Sequence, residues 1–545
     1  MRDRSDLRRV WSKYWVLGKD GMPRTVRRWK MMARLKYLEW SEKCLSPASP
    51  LPARILQPER GSVKETTMKS TSHEKVTTKL ALTSFAIAVG VCCIASAAEL
   101  PPPTPIKIQI DPQTIIAPIA DDFTGFGYET SAVAQEGYFS EKNAALVQLY
   151  RTLGPKGLIR IGGIISDWTK YEANGTPVVS TQGKVTVINQ RCLDDLGKFL
   201  RATGWKVMWG LNLGTGSKEE AAEQALAVHK ALGDRLQSFE IGNEVDDLKR
   251  FKETKYEGYF AEYMNFKSAI RKALPSAVFS GPDANANMNY VEQFVSTEFK
   301  DMSYLTKHFY LGGAGSPKST TELMLSPFPF WEIKLRRFQD IKREKGVPYR
   351  INEVNSFSGG GKPGVSDTFA SALWCLDHMF LLATYDCGGV NMQTDINQIG
   401  FISHYSPIFK DKDGKVSARP EYYGMLAFAQ AGHGDLVKLT ASKTPVNLRA
   451  YATKNRSGEV WVTLVNKDLA QEATINLTLP AGCTSAEAHR LTAPSADSKT
   501  GVTFAGAAVT DDGNWKPNAV EKLTVVGAAA TFTVPSASAA LVRLR

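Results

Sequence analysis

The strongest constraint on the fold is a pattern that occurs twice, an apolar run that ends in Asn-Glu. Residues 238–244 end in Asn243-Glu244, and residues 349–353 end in Asn352-Glu353, 109 positions later. One strand-plus-helix unit takes a little over 30 residues, so this interval holds three units. The spacing therefore predicts strands four and seven of a (β/α)8 barrel. Parallel barrel strands end on one face, so both carboxyls are expected in one cleft.

Two carboxyl groups across a cleft are the minimum apparatus for cleaving a glycosidic bond. A retaining enzyme needs one acid to protonate the leaving oxygen and one carboxylate to attack the anomeric carbon. Glu244 is predicted as the acid/base, because no cation adjoins it in sequence to hold its pKa down and Asn243 can donate to a sugar hydroxyl. Glu353 is predicted as the nucleophile, with Tyr310 as its hydrogen-bond donor.

Alternating apolar strands and amphipathic helices support the barrel over residues 121–432. Strands are predicted at 125–128, 158–161, 206–212, 238–243, 277–281, 304–310, 348–353 and 389–393. Eight helical stretches are predicted, among them 141–153, 218–232, 256–274, 367–384 and 421–431.

Residues 433–545 show a different period. Segments 450–454, 459–466, 473–479 and 530–534 alternate with period two, which is typical of an antiparallel β-sandwich. Residues 106–110 alternate in the same way before the barrel begins, so residues 98–120 are predicted to add a strand to the sandwich. The predicted fold class is α/β, a TIM barrel with a C-terminal antiparallel β-sandwich that also takes a strand from the N-terminal end of the mature chain.

The net charge of +12 is concentrated at the start of the chain. Residues 1–67 carry 16 Lys and Arg against 7 Asp and Glu, whereas residues 98–545 carry 48 against 47. A nucleic-acid partner would depend on the first segment alone, and none is expected. Residues 68–97 have a charged head, an apolar middle and a small-residue end, which predicts a signal peptide and a secreted or periplasmic protein. The alternative to a signal peptide is a membrane anchor, but the apolar part is too short for a spanning helix. No stable membrane insertion is therefore expected after cleavage.

A signal peptide belongs at the start of a protein, so residues 1–67 are interpreted as an untranslated or disordered extension. The alternative is that residues 1–67 form a basic tail that binds an anionic surface.

No metal or cofactor is predicted, because the cysteines lack ligand spacing and His308 has no second histidine at ligand spacing. Disulfides and buried thiols both stay open for Cys192, Cys375, Cys387 and Cys483.

Six motifs in chain order resemble glycoside hydrolase family 79, the heparanases and bacterial β-glucuronidases. They are Gly210-Leu-Asn212, Ile241-Gly-Asn-Glu244, Ser280-Gly-Pro-Asp283, His308-Phe-Tyr310, Asn352-Glu353, and Gly359-Gly-Gly361 followed by Ser366-Asp-Thr-Phe-Ala370. The resemblance implies a retaining mechanism on β-linked glucuronic acid, with Glu244 as acid/base and Glu353 as nucleophile.

The glycine run offers a place for the uronic carboxylate, since consecutive backbone N–H groups form an anion nest and glycine permits close approach. The resemblance implies that Gly359 and Gly360 bind this carboxylate together with Tyr405. Two positions depart from the heparanase pattern: Ser358 stands where a tyrosine precedes the glycines, and Val245 stands where proline follows the acid/base.

Three further side chains are candidates for substrate binding. Glu129 is expected at the pocket floor, His308 is expected to donate within the cleft, and Asp167 either binds a hydroxyl or makes a structural hydrogen bond. No insertion between strands is predicted to roof the pocket.

The expected partner is a glucuronic-acid-containing carbohydrate and the expected state a monomer. Two alternatives stay open, a retaining β-glycosidase for neutral sugars and a carbohydrate-binding surface protein without turnover.

Overall fold

The computed structural model describes residues 104–396 and 402–545. The predicted signal peptide at 68–97 and the basic segment before it lie outside the described residues. Up to the end of the barrel sheet the strands are β1 (Ile106–Ile119), β2 (Gly125–Glu129), β3 (Leu158–Gly162), β4 (Thr169–Tyr171), β5 (Thr186–Ile188), β6 (Lys206–Leu211), β7 (Leu236–Ile241), β8 (Gly281–Ala284), β9 (Leu305–Gly313), β10 (Tyr349–Ser358) and β11 (Val390–Gln393).

Eight of these strands form a parallel barrel sheet within the described residues. Their order is β7-β6-β3-β2-β11-β10-β9-β8, which is chain order read around a circle. The seam between β7 and β8 is closed by a bridge of Phe239 with Phe279, in which Phe239 N donates to Val278 O and Ser280 N donates to Phe239 O, both at 2.8 Å. The predicted fifth strand at 277–281 is therefore displaced, because residues before Gly281 make this bridge and the regular ladder runs from Gly281 to Ala284.

Helices surround the barrel. Within the described residues they are α1 (Ser131–Ala134), α2 (Ala144–Leu153), α3 (Gln190–Thr203), α4 (Lys218–Leu232), α5 (Lys255–Ala273), α6 (Met288–Glu298), α7 (Thr321–Leu325), α8 (Pro329–Lys345), α9 (Phe369–Thr384) and α10 (Pro420–Ala431). Local sequence sets their ends: Ser217 and Glu220 form a capping box at α4, and Gly346 ends α8 in the left-handed region. In α9 and α10 nearly every residue is buried, as expected of helices covered on two sides.

The remaining strands are β12 (Ile408–Lys410), β13 (Val416–Ala418), β14 (Gly434–Ala441), β15 (Leu448–Lys454), β16 (Val460–Asn466), β17 (Ala473–Thr478), β18 (Ala486–Thr492), β19 (Thr503–Phe504), β20 (Glu521–Leu523), β21 (Val525–Val526), β22 (Ala529–Val534) and β23 (Ser538–Leu544). The strands from β14 onward form one sheet, in the order β19-β18-β23-β16-β15-β14-β1-β17-β22-β21 with β20 on β18. Its own apolar core includes Ile108, Val462, Leu464, Ile475 and Leu477.

Strand β1 joins this sheet, antiparallel to β14 and parallel to β17. The fold class predicted from the sequence, a parallel barrel with a β domain that recruits an N-terminal strand, is confirmed.

Two further features concern the described residues alone. None of their helices is long and apolar enough to cross a membrane. The thiols of Cys192, Cys375, Cys387 and Cys483 are all free.

Candidate active site

A cavity of about 410 Å³ lies at the C-terminal ends of the barrel strands. Glu129 ends β2, Asn243 and Glu244 follow β7, and Tyr310 and Glu353 lie within β9 and β10. Eight residues predicted from the sequence line the cavity together: Glu129, Asn243, Glu244, Tyr310, Glu353, Gly359, Gly360 and Tyr405. The strand ends thus bring together side chains that are far apart in the sequence.

The carboxyl groups of Glu244 and Glu353 face each other across this cavity. One oxygen of each, with one ring nitrogen of His308, lies within 4.8 Å of the other two atoms. Carboxyl groups about 5 Å apart suit a covalent intermediate, whereas a wider gap would leave room for a water molecule in a one-step inversion. The spacing therefore favours double displacement.

The turn after β7 directs Glu244 into the cavity. Gly242 has φ +89° and Glu244 itself has φ +45°. The left-handed region costs a residue with a side chain about 1–2 kcal/mol, and such strain persists where the surroundings impose it. Glu244 is therefore held by its neighbours in an unfavourable backbone conformation.

Glu353 is held by two donors. Arg160 Nη1 donates to Oε2 at 2.7 Å, and the Tyr310 hydroxyl donates to Oε1 at 2.8 Å. The prediction that Tyr310 contacts the nucleophile candidate agrees with this geometry. Together the donors fix the direction of both carboxylate oxygens and stabilise negative charge on them.

Glu244 lies in different surroundings. Its Oε1 is 3.1 Å from His308 Nδ1, and no other side-chain donor within the described residues bonds it. Burial raises the pKa of Glu244, and the nearby charge of Glu353 adds to this, while His308 opposes the shift. The two carboxyls thus differ in the way that an acid and a nucleophile require.

His308 lies behind the two carboxyls and does not line the cavity wall. Its Nε2 is 2.9 Å from Asp283 Oδ1, so both ring nitrogens face carboxyl oxygens. Burial alone lowers the pKa of His308, but the charges of Glu353 and Asp283 and the hydrogen bonds raise it well above its ordinary value. An imidazolium that donates from both nitrogens is the expected form.

The same geometry bears on metal binding. Glu244, His308 and Glu353 are a set of side chains whose spacing could suit a metal ion. Both ring nitrogens of His308 already lie at hydrogen-bond distance from carboxyl oxygens, Nδ1 at 3.1 Å from Glu244 and Nε2 at 2.9 Å from Asp283. A metal ion bound at Nδ1 would have to replace the bond to Glu244.

Four residues beneath the cavity floor are not among those predicted as site residues: Arg160, Glu240, Asp283 and Asn352. The Arg160 guanidinium is 1% exposed and donates to Glu240 Oε2 at 3.0 Å, to Asn243 Oδ1 at 2.7 Å and to Asp283. Asn352 Nδ2 donates to Glu240 Oε1 at 2.7 Å and to Asp283. Arg160 is the one charged residue in the otherwise apolar strand β3, and this is the sequence signal that could have identified the network.

The pKa values of the two buried carboxyls in this network are shifted in opposite directions. Burial and the neighbouring charge of Asp283 raise the pKa of Glu240 to about 8. Burial acts against ionisation of Asp283 as well, but Arg160 and His308 outweigh it and lower the pKa of Asp283 to about 2. Asp283 is thus the permanent counter-ion for Arg160 and His308.

Gly359, Gly360 and Gly361 form a loop with φ of +77°, +85° and +83°. Glycine adopts three successive left-handed conformations without the strain of a side chain. The loop is tied down at Gly360 O, which accepts from His404 N at 2.5 Å and Tyr405 N at 3.3 Å. Within the described residues no partner is found for the N–H groups of the three glycines, and two of the three, Gly359 and Gly360, line the cavity.

The predicted polar contacts at the floor divide into two kinds. Glu129 lines the cavity and accepts from Ile165 N at 2.7 Å, and burial raises its pKa well above the usual value. Asp167 lies outside the cavity lining and its Oδ1 accepts from Gly214 N at 3.0 Å. Of the two alternatives for Asp167, the structure favours the structural hydrogen bond.

Several residues of the cavity wall were not predicted, among them Asp395 and residues 180–182. Asp395 lies beyond β11, and burial together with the charge of Glu353 raises its pKa to about 7. Ser180, Thr181 and Gln182 also line the cavity. They belong to the segment between β3 and α3 that carries β4 and β5, so an insertion between strands contributes to the cavity wall.

Comparisons with known proteins agree with this geometry. The sequence models of "Glycosyl hydrolase family 79, N-terminal domain" and "Glycosyl hydrolase family 79 C-terminal beta domain" match residues 139–380 and 442–541. A beta-glucuronidase of Aspergillus niger is 25% identical over 408 residues, 67% of this chain and 73% of the relative.

Heparanase-like protein 1 of Arabidopsis thaliana is 24% identical over 380 residues, 63% of this chain and 68% of the relative. Among solved structures, a 4-O-alpha-L-rhamnosyl-beta-D-glucuronidase from Fusarium oxysporum has a TM-score of 0.67 at 20% identity and covers 80% of this chain and 99% of its own. At that identity the likeness shows the fold.

Proposed function

Since the chain belongs to glycoside hydrolase family 79, we propose that it is a retaining β-glucuronidase that works through a covalent intermediate on Glu353. One observation carries the proposal. One oxygen of Glu244 and one of Glu353 lie within 4.8 Å of each other; burial raises the pKa of Glu244, whereas Glu353 accepts hydrogen bonds from Arg160 and Tyr310.

The first half-reaction uses both carboxyls at once. Glu353 Oε attacks the anomeric carbon, the glycosidic C–O bond breaks, and the proton of Glu244 passes to the leaving oxygen. Glu244 is then a carboxylate beside His308 Nδ1, at 3.1 Å, and the imidazolium stabilises this new charge. In the second half-reaction Glu244 takes a proton from water, which attacks the same carbon and releases Glu353.

The uronic carboxylate is assigned to the glycine loop. Gly359 and Gly360 line the cavity, and their N–H groups have no partner among the described residues; the rings of Tyr310 and Tyr405 stack beside them with centroids 6.3 Å apart. No Lys or Arg among the described residues lines the cavity, so the backbone N–H groups of the glycine loop are the donors for the anion. The names of the relatives, which include β-glucuronidases, support the same substrate class.

The nucleophile is tested by Glu353→Gln with an aryl β-glucuronide. Loss of the attacking carboxylate should lower kcat by about 1,000-fold or more, since covalent catalysis is removed. Glu292→Gln is the matched control, because Glu292 lies on the surface and pairs with Arg337. Labelling by a 2-fluoro glucuronide, located by mass spectrometry, should fall on Glu353. A Gln variant that keeps most of its turnover would show that Glu353 is not the nucleophile.

The substrate class is tested by comparing aryl β-glucuronide with aryl β-glucoside. The glycine loop predicts a kcat/KM for the glucuronide at least about 100-fold higher, because the glucoside leaves the N–H donors unpaired. Equal or inverted preference would favour the neutral-sugar glycosidase. Absence of product from either substrate would favour the carbohydrate-binding protein.

Export is part of the same proposal and is supported by the sequence of residues 68–97. N-terminal sequencing of the native protein should give a first residue at or near Ala98, after cleavage at Ala97. A first residue upstream of Met68 would contradict both the signal peptide and the view that residues 1–67 are untranslated.

A further inference from the structure

The turn that carries Glu244 is fixed by contacts outside its own strand. Strand β7 ends at Ile241, and Glu244 has a left-handed backbone. Within the turn, Asp247 N donates to Glu244 O at 2.8 Å. Before Glu244 the turn is tied to neighbouring strands, since Gly242 N donates to Leu211 O at 3.1 Å and Asn243 Oδ1 accepts from Arg160 at 2.7 Å. After Glu244 the Asp247 bond closes the turn within itself, so the direction of this side depends on a contact to another element.

Asp246, two residues after Glu244, makes that contact. Its carboxylate accepts three consecutive backbone N–H groups of the loop after β8: Oδ1 accepts from Asn285 N at 2.7 Å, and Oδ2 accepts from Ala286 N at 3.0 Å and Asn287 N at 2.8 Å. Consecutive N–H groups around an anion form a nest, and bonds to a charged acceptor are the stronger kind. Asp246 thus ties the Glu244 turn to residues 285–287.

The loop at the other end of this tie is itself anchored beneath the active site. Lys307 is 1% exposed, and its Nζ donates to Asn285 O. The next residue, His308, bonds both Glu244 and Asp283, and Asp283 lies two positions before Asn285. The contacts form a ring that leads from Glu244 through Asp246, the loop, and Lys307-His308 back to the Glu244 carboxyl.

We propose that Asp246 is a positioning residue for Glu244, which holds the acid/base carboxyl at the distance from His308 and Glu353 that proton transfer requires. The inference rests on the proposed function, in which Glu244 protonates the leaving oxygen. Asp246 does not line the cavity, so it acts through Glu244 and not on the sugar.

A displaced acid gives a characteristic kinetic result. Protonation matters for a poor leaving group and hardly at all for an activated one. Loss of Asp246 should therefore damage hydrolysis of phenyl β-glucuronide and spare 2,4-dinitrophenyl β-glucuronide. General damage to the barrel would lower both rates together.

The experiment measures kcat/KM of Asp246→Ala and Asp246→Asn with both substrates. For the phenyl substrate a fall of about 10- to 100-fold is expected, the range for a misplaced catalytic group, against a change within about threefold for the dinitrophenyl substrate. Asp246→Asn has nearly the same size and should lose at least one of the three bonds, because its NH₂ group cannot accept. It decides the outcome if the alanine variant does not fold.

Asp247→Asn is the matched control. Asp247 is exposed, and its carboxylate accepts from the Asn285 side chain at 2.8 Å and from no backbone N–H in the part of the chain described. The Asp247→Asn variant removes the same charge from the same turn. It should leave kcat/KM for both substrates within about twofold of wild type, because exposed contacts contribute little.

Equal losses on both substrates, or no loss on either, would overturn the role of Asp246 while wild-type turnover and the Glu353→Gln result left the proposed function intact. Failure of wild-type enzyme to hydrolyse either substrate would instead overturn the proposed function.

Discussion

At the scale of single residues, the active site depends on an unequal distribution of protons between neighbouring carboxyls. Among the described residues Glu244 has one side-chain partner, His308, which also contacts Asp283, whereas Glu353 receives hydrogen bonds from Arg160 and Tyr310. Glu244→Ala should therefore lower kcat/KM about 100-fold or more for phenyl β-glucuronide, the usual contribution of a general acid, and only slightly for the dinitrophenyl substrate. The measurement is a pair of Michaelis–Menten curves at one pH. Equal losses on both substrates would remove Glu244 from the acid role.

Asp395 should make the binding of a uronate in the cavity depend on pH. Burial and the Glu353 charge raise its pKa to about 7, so it is neutral in mild acid and negative in mild base. A negative Asp395 repels a uronate in a cavity that Glu129, Glu244 and Glu353 also line. The inhibition constant of glucuronic acid should therefore rise about tenfold between pH 5.5 and 8, and less in Asp395→Asn. Identical pH profiles of the two proteins would show that Asp395 does not act on the sugar.

At the scale of elements, the sequence predicts strands that have a regular apolar pattern and misses strand limits that depend on pairing with a neighbouring strand. Strands β2, β3 and β6 begin at the predicted positions because each is a short, mostly apolar run. Strand β10 extends five residues past Glu353, since Phe357 and Ser358 pair with Gly312 and Gly313 of β9. Strand β8 reads Gly-Pro-Asp-Ala, which has no strand period, so its start at Gly281 could not be predicted.

The candidate site was likewise predicted only in part. Motifs at strand ends, such as Asn243-Glu244, can be recognised from the sequence alone. The Arg160 network is not, because its partner Glu353 lies 193 residues away and the pairing is set by the barrel.

The glycine loop allows a prediction at this scale. A Cβ at Gly361 would lie 2.7 Å from Tyr405 N and 2.9 Å from Ser366 Cβ, whereas a Cβ at Gly359 would have no atom within 4 Å. Gly361→Ala should therefore lower the melting temperature and raise KM for the glucuronide, because the loop must move away from Tyr405. Gly359→Ala carries the backbone strain alone, about 1 kcal/mol, and is the matched variant. Equal stability of the two proteins in thermal unfolding would contradict this.

At the scale of the whole molecule, the chain passes into and out of the barrel through one antiparallel pair of strands. β1 ends at Ile119, which pairs with Gly434 at the start of β14. The barrel runs between these two positions, from β2 to the end of α10. The β domain is therefore anchored to the barrel at both chain crossings, and the two parts are expected to unfold together.

A buried ion cluster reinforces this junction. Asp377 of α9 accepts from the Tyr451 hydroxyl and from Lys467 Nζ, both at 2.6 Å, and its Oδ1 is 3.3 Å from Arg449 Nε. Burial by itself acts against the charge, but Lys467 and Arg449 lower the pKa of Asp377 below its ordinary value. The stabilisation is therefore present above the unfolded pKa of about 3.9 and is lost as pH falls through the lower folded value.

Asp377→Ala leaves Lys467, whose side chain is 4% exposed, without its carboxylate. A buried charge that loses its partner costs about 3–5 kcal/mol, so the free energy of unfolding in urea at pH 7 should fall by that amount. Glu487→Ala breaks a partly exposed ion pair of 3.7 Å with Arg545 and should change it by less than about 1 kcal/mol. Because Asp377 does not line the cavity, folded Asp377→Ala should keep wild-type kcat. A stability loss no larger than that of Glu487→Ala would show that the junction is held by apolar packing and not by these charges.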